Sequence, residues 1–146
     1  MKKGVTGIVK LSSSPITEDE MIFAGGIGTA NRFGALGLNG SGNASDGSNP
    51  GNNAQSLATS FPVAGTLKNL QIIATDPSGA ETATATLFVN GAGTALAVTL
   101  NGGSTQAINT TDTVAVGPGD LATIHFTKSG GAVTADIAYS AEFIKT

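Results

Sequence analysis

The chain has no cysteine and no tryptophan, one tyrosine and one histidine. Without thiols, disulfides and zinc–thiolate sites are excluded, and nothing points to a secreted, oxidised setting. Charge is scarce as well. Asp, Glu, Lys and Arg make up 12% of 146 residues, against about 25% in ordinary soluble proteins. Seven basic and ten acidic residues leave a net charge of −3, so no basic face for nucleic acid is expected. Long apolar runs are missing too. Lys2 and Lys3 resemble the start of a signal peptide, but Gly4 to Leu11 is short and Lys10 interrupts it. No cleaved leader is expected, and Met1 is read as the start of a working protein made and used without export. No stretch approaches the roughly 20 apolar residues of a membrane-spanning helix.

What remains to build a surface is Thr, Ser, Asn, Gly and Ala. Such a surface fits a neutral, soluble β domain. It also fits a subunit whose surface is covered by neighbours, because charges are depleted where interfaces are buried. The second reading is preferred. The 21 glycines have no period of three, so they signal turns and not a collagen helix.

Three zones follow along one domain. Residues 1–38 read as an N-terminal arm with weak strands, over Met21 to Ala24 and Arg32 to Leu36. Residues 39–56, NGSGNASDGSNPGNNAQS, read as a flexible Gly/Asn/Ser loop. Residues 57–146 form the main part of the domain, a run of strands and turns.

The strongest periodicity is period two, as a half-buried strand requires. Thr82, Thr84 and Thr86 alternate with Ala83, Ala85, Leu87 and Val89. Asn90-Gly91-Ala92-Gly93 turns the chain, and Asn-Gly is a strong hairpin signal. The return strand runs from Thr94 to Leu100, with Leu96, Val98 and Leu100 on one face. After Asn101-Gly102-Gly103 comes a short strand from Thr113 to Val116, then a break at Gly117-Pro118-Gly119-Asp120. Leu121 to Thr127 places Ile124 and Phe126 on one face, and Lys128-Ser129-Gly130-Gly131 is read as a hairpin into the last strand. There Val133, Ala135, Ile137, Tyr139, Ala141 and Phe143 share a face. Thr66 to Ala74 and Gln55 to Val63 also read as strands, and no segment carries a capped helical stripe. Eight or nine short strands with frequent turns predict an all-β, two-sheet β-sandwich of jelly-roll type with an N-terminal extended arm; an immunoglobulin-like sandwich is the alternative, without its Cys-Trp-Cys marks.

Several segments resemble parts of small trimeric jelly-roll structural proteins. FPVAGTLKNLQIIAT (Phe61 to Thr75) resembles the way a strand begins in them. LFVNGAGTALAVTL (Leu87 to Leu100) resembles their "NG" hairpin. DTVAVGPGDLATIHFT (Asp112 to Thr127) resembles their strand, G-x-G-D, strand element. Similar patterns occur in the C-terminal domains of exosporium collagen-like proteins and in phage capsid decoration and fibre-head proteins. The resemblance covers roughly residues 57–146. It implies a homotrimer with no cofactor and no catalysis. The chain departs from the exosporium type in lacking a collagen stem, which favours a stand-alone subunit such as a capsid decoration protein.

Candidate chemistry is thin. His125 would have to serve any Ser–His–Asp triad, but there is no G-x-S-x-G elbow, and alternation puts it opposite in phase to Ile124 and Phe126. Asp46-Gly47-Ser48-Asn49 has oxygen ligands around a glycine but only one carboxylate, where a calcium loop needs several. Gly25-Gly26-Ile27-Gly28 lacks nucleotide-binding spacing and is read as a tight turn or close crossing. Glu18, Asp19 and Glu20 are read as a solvated turn or a basic partner's contact, not as an acid–base pair. Asn43-Ala44-Ser45 and Asn109-Thr110-Thr111 are sequons without meaning unless the chain is exported. No catalytic, metal or cofactor residue is assigned.

The expected site is therefore an interface. In the arm, Val5, Ile8, Val9 and Leu11 either extend a neighbour's sheet edge or form a first strand of the same domain. Leu121, His125, Ala138 and Ser140 are expected on one outward face of a last hairpin, closing a trimer. The expected function is a non-enzymatic capsid decoration (cement) subunit at the virion surface. Its partners would be two further copies and the major capsid protein or neighbouring structural subunits, without nucleic acid or membrane. A fibre-head or spore-surface appendage and a carbohydrate-binding module are the alternatives. The absence of tryptophan, with Tyr139 on the core phase, argues against the last.

Overall fold

The structure is a computed structural model that describes residues 19–27, 35–37, 42–43, 58–75, 82–129 and 136–146. All regular structure among these residues is β. The strands are β1 (Glu20–Ile27), β2 (Ala35–Gly37), β3 (Gly42–Asn43), β4 (Thr59–Ser60), β5 (Gly65–Thr75) and β6 (Thr82–Val89). They continue with β7 (Ala92–Leu100), β8 (Gln106–Asn109), β9 (Val114–Val116), β10 (Leu121–Ser129) and β11 (Asp136–Lys145).

The strands make two antiparallel sheets. One runs β1-β11-β5-β8, with β9 also on β5. The other runs β3-β2-β10-β6-β7, with β4 also on β10. Consecutive strands repeatedly change sheet, at β4 to β5, β5 to β6, β7 to β8, β9 to β10 and β10 to β11. The inward residues of both sheets form one core. Leu67, Leu70, Ile72, Ile137, Tyr139 and Phe143 come from the first sheet, and Ala85, Leu87, Leu96, Ile124 and Phe126 from the second. Phe126 and Tyr139 meet across the sandwich with ring centroids 5.8 Å apart. The architecture is a β-sandwich, as the alternation predicts.

Two local devices hold this arrangement. The turn between β6 and β7 is Asn90-Gly91, with φ of 51° and 81°. A two-residue hairpin turn of this hand requires positive φ at both positions, which Asn and Gly supply at least cost. In β5, the register against β11 slips between Ser140 and Glu142, so that Asn69 and Leu70 together face Ala141. Asn69 sits at φ 54°. This bulge is why Leu67 and Leu70, three residues apart, are both fully buried.

Five expectations change. Lys128 to Gly131 does not close a hairpin, because β10 and β11 belong to different sheets. Alternation gives the phase of each strand but not its partner. Gly25, Gly26 and Ile27 continue β1, paired with Tyr139, Ala138 and Ile137, and do not form a turn. Within the proposed Gly/Asn/Ser loop, Gly42–Asn43 forms β3 on β2. Gln106–Asn109 is a strand on the edge of the first sheet where the sequence shows no alternation, and of the expected strand from Gln55 to Val63, among the described residues only the two of β4 are in a strand.

Candidate interaction surface

The corner between β9 and β10 shows what the Gly-x-Gly-Asp element does. Asp120 Oδ2 accepts the Gly117 N–H at 2.7 Å, and its Oδ1 accepts the Asn90 side-chain amide at 2.7 Å. Asn90 Oδ1 in turn accepts the Leu121 N–H at 3.0 Å. The Gly117 N–H, and after it the Asn90 amide, hold the Asp120 carboxyl below its usual range. Phe61 N–H donates to Asp120 O at 3.0 Å and Gly119 N–H to Phe61 O at 2.7 Å. The element ties the start of β5 to the β6–β7 hairpin and is structural.

Asn109 is occupied in the same way. Its amide donates to Ala97 O at 2.7 Å and Asp112 Oδ2 at 2.8 Å, and its Oδ1 accepts the Thr111 and Asp112 N–H groups at 3.0 Å. An open groove of about 360 Å³ lies over this turn, lined by Ala97, Thr99, Ile108 and Asp112 among others. No group of three or more His, Cys, Asp or Glu able to hold a metal ion occurs among the described residues. Asp19 takes Lys145 at 3.4 Å in an exposed ion pair, as the basic-partner reading of that acidic cluster anticipates. The Asp46 to Asn49 segment and Glu18 lie outside the described residues.

His125 faces away from the core, as alternation predicts, yet it is only 5% exposed. Its ring stacks on Phe88, centroids 3.7 Å apart and planes 15° from parallel. Neither ring nitrogen has a hydrogen-bond partner. Burial pushes its pKa below the usual histidine value. It makes no solvent contact of the kind expected for an exposed outer-face residue.

The four residues expected on one face do not share one. Leu121 and His125 lie on β10 in the six-stranded sheet, while Ala138 and Ser140 lie on β11 in the five-stranded sheet. Leu121 is half-buried and bonded to Asn90, so it is part of the corner. Val5, Ile8, Val9 and Leu11 lie outside the described residues.

Ala138 and Ser140 do belong to an open surface, the outer face of the five-stranded sheet. Its rows follow from the register. Gly26, Ala138, Ile73 and Gln106 lie side by side, as do Ala24, Ser140, Gln71 and Ile108. Ile22 and Glu142 pair in the next row, where Glu142 also faces Lys68. Three of these are large aliphatics open to solvent: Ile22 at 41%, Ile73 at 44% and Ile108 at 53%. The charges on these rows, Lys68 and Glu142, neutralise each other at 3.4 Å, and Glu142 also accepts the Asn69 amide at 2.5 Å.

Sequence reasoning missed these isoleucines. Adjacent Ile72 and Ile73 carried the signal, since a strand can bury only one of two neighbours. Ile108 was hidden because β8 was not read as a strand.

Tyr139 is 2% exposed in the core and offers no stacking platform for a sugar. No protein-family model matches the chain, and no curated protein matches it.

Proposed function

We propose that this chain is a non-enzymatic structural subunit that works in a homotrimer, and that its role is to decorate a virus capsid. The observation that carries the reading is the outer face of the five-stranded sheet. Three isoleucines stand open there beside Ala24, Ala138 and Ser140, with one internally neutralised ion pair. Ile73 and Ile108 stand on adjacent rows of the neighbouring strands β5 and β8, and large aliphatics exposed together mark an interaction site. The low charge of the whole chain points the same way.

A jelly-roll reading of the sandwich is supported by its strand order. The first strand lies beside the last, β1 on β11, and the sheets read β1-β11-β5-β8 and β2-β10-β6-β7. Chain connections cross between sheets as two nested Greek keys would. The fold alone does not assign a role, so the reading rests on the surface and on the resemblance of the "NG" hairpin and the G-x-G-D corner.

A trimer attached at several points at once can gain about 10² to 10⁴ in avidity over a single contact. That arithmetic suits a subunit with one modest apolar face. Size exclusion with light scattering should give three times the mass of the 14.3 kDa chain. Incubation of that species with undecorated capsids should then remove it from solution as the particles are sedimented. A protein that stays in the supernatant at every capsid concentration would end the decoration role.

A further inference from the structure

We infer that Asn101, in the turn between β7 and β8, is a site of spontaneous deamidation in the folded protein. The Gly102 backbone nitrogen attacks its side-chain amide, and water is the co-reactant. The fold leaves this Asn-Gly pair open and locks another.

Asn-Gly occurs at Asn39, Asn90 and Asn101. Glycine is the most permissive successor for this reaction, because it has no Cβ to hinder the approach of its own nitrogen to the preceding side chain. The sequence ranks the three pairs alike. Asn39-Gly40 lies outside the described residues. The structure separates the other two.

The chemistry is the same at each pair. The glycine nitrogen forms a bond to the asparagine Cγ, and the Cγ–Nδ2 bond breaks as ammonia leaves with the glycine proton. The product is a five-membered succinimide. Water then opens the ring at one of its two carbonyls. Cleavage of the new bond to Cγ gives aspartate, and cleavage of the original peptide bond gives isoaspartate. In sum, an amide and water become a carboxylate and ammonium, with no change of oxidation state.

Ring closure requires the side chain to swing over its own backbone. Asn90 is held back at both ends of its amide. Its Nδ2 donates to Asp120 Oδ1 at 2.7 Å, and its Oδ1 accepts the Leu121 N–H at 3.0 Å. Asn101 carries no such ties. It is exposed, as are Gly102 and Gly103, and its side chain makes no hydrogen bond among the described residues. Backbone alone closes its turn: the Ser104 N–H donates to Asn101 O at 3.0 Å, with Gly103 at φ 78°. The β6–β7 ladder ends at Leu100 and the β5–β8 ladder begins at Gln106, so neither ladder engages the Gly102 nitrogen.

The product falls at a junction. β7 belongs to the six-stranded sheet and β8 to the five-stranded one, so this turn carries the chain between them. Deamidation there adds a negative charge to a chain of net charge −3, and isoaspartate also lengthens the backbone by a methylene.

The test is to age the folded wild-type protein in mildly alkaline buffer and read each asparagine by tandem mass spectrometry of its peptides. Asn101 should convert about tenfold or more faster than Asn90, because two hydrogen bonds must break at Asn90 before the ring can close. In urea that unfolds the chain, the two sites should convert at similar rates. Equal rates in the folded protein overturn the inference, as does an Asn101 that stays intact until the chain is unfolded. A preference for Asn101 that persists in urea overturns it too, because flanking residues and not the fold would then set the rate. Asp120→Ala removes one tie and should speed conversion of Asn90 while Asn101 is unchanged. A folded Asp120→Ala protein with Asn90 as slow as in the wild type overturns the locking. The wild-type comparison needs no variant and decides the matter if Asp120→Ala does not fold.

Discussion

Gly65 has no room for a side chain. A Cβ there would fall 2.2 Å from the Phe143 ring and 2.6 Å from the Ile144 carbonyl oxygen. Phe143 belongs to an aromatic cluster, stacked on Phe61 at 5.1 Å and edge-on to Phe23 at 6.2 Å. Gly65→Ala must displace that ring or the β5–β11 ladder, and overpacking of this kind costs about 1–3 kcal/mol. Urea unfolding should show the loss. His125 makes a different prediction. Its folded pKa lies below the unfolded value, so the unfolded chain binds more protons as pH falls past about 6.5. Stability is therefore full above that pH and declines below it. Urea midpoints at pH 7.5 and 5.5 should differ for the wild type and converge for His125→Phe, which keeps an aromatic ring against Phe88. Asp120, held low by Gly117 and Asn90, loses its contribution only in the more acidic carboxylate range, so the two effects separate. The outward phase of His125 was legible from Ile124 and Phe126 on either side. Its burial was not, because alternation says which way a side chain points and nothing about what lies over it.

In β5, the bulge decides which residues reach the core. Leu67 and Leu70 are buried only because Asn69 takes the left-handed conformation between them. That conformation costs most residues about 1–2 kcal/mol. Asn69→Val should lose at least that much in urea unfolding, with the bond to Glu142 gone as well. Asn69→Gly should lose less, since glycine adopts the same φ freely. The β6–β7 hairpin was legible in its position and inward residues: Asn-Gly marks the turn, and the buried Ala83, Ala85 and Leu87 are residues the alternation selects, although Ala92 and Gly93, read as turn, belong to β7. β8 was not legible, because four residues on a sheet edge need no regular pattern. Its place is set by pairing with β5 from Leu70 to Ile73.

For the molecule as a whole, folding and association are linked if the chain works in a homotrimer. Whatever binds only the folded state raises its apparent stability by mass action. The midpoint of thermal unfolding should rise as the protein is concentrated. Differential scanning calorimetry over a hundredfold concentration range makes the comparison.

Composition and period-two patterning were enough to specify an all-β sandwich, the inward residues of β6, β7, β10 and β11 among those described, and the Asn-Gly turn. These properties are local: they depend on side-chain phase, backbone propensity and the φ that a turn demands. Sheet membership was beyond them. A strand's partners are set by long-range pairing, and β10 and β11, consecutive in the chain, lie in opposite sheets. That separation sends His125 to one side of the sandwich and Ala138 to the other. It also brings Ala138 beside Ile73, 65 positions apart in the chain, and makes them neighbours on one uncharged row.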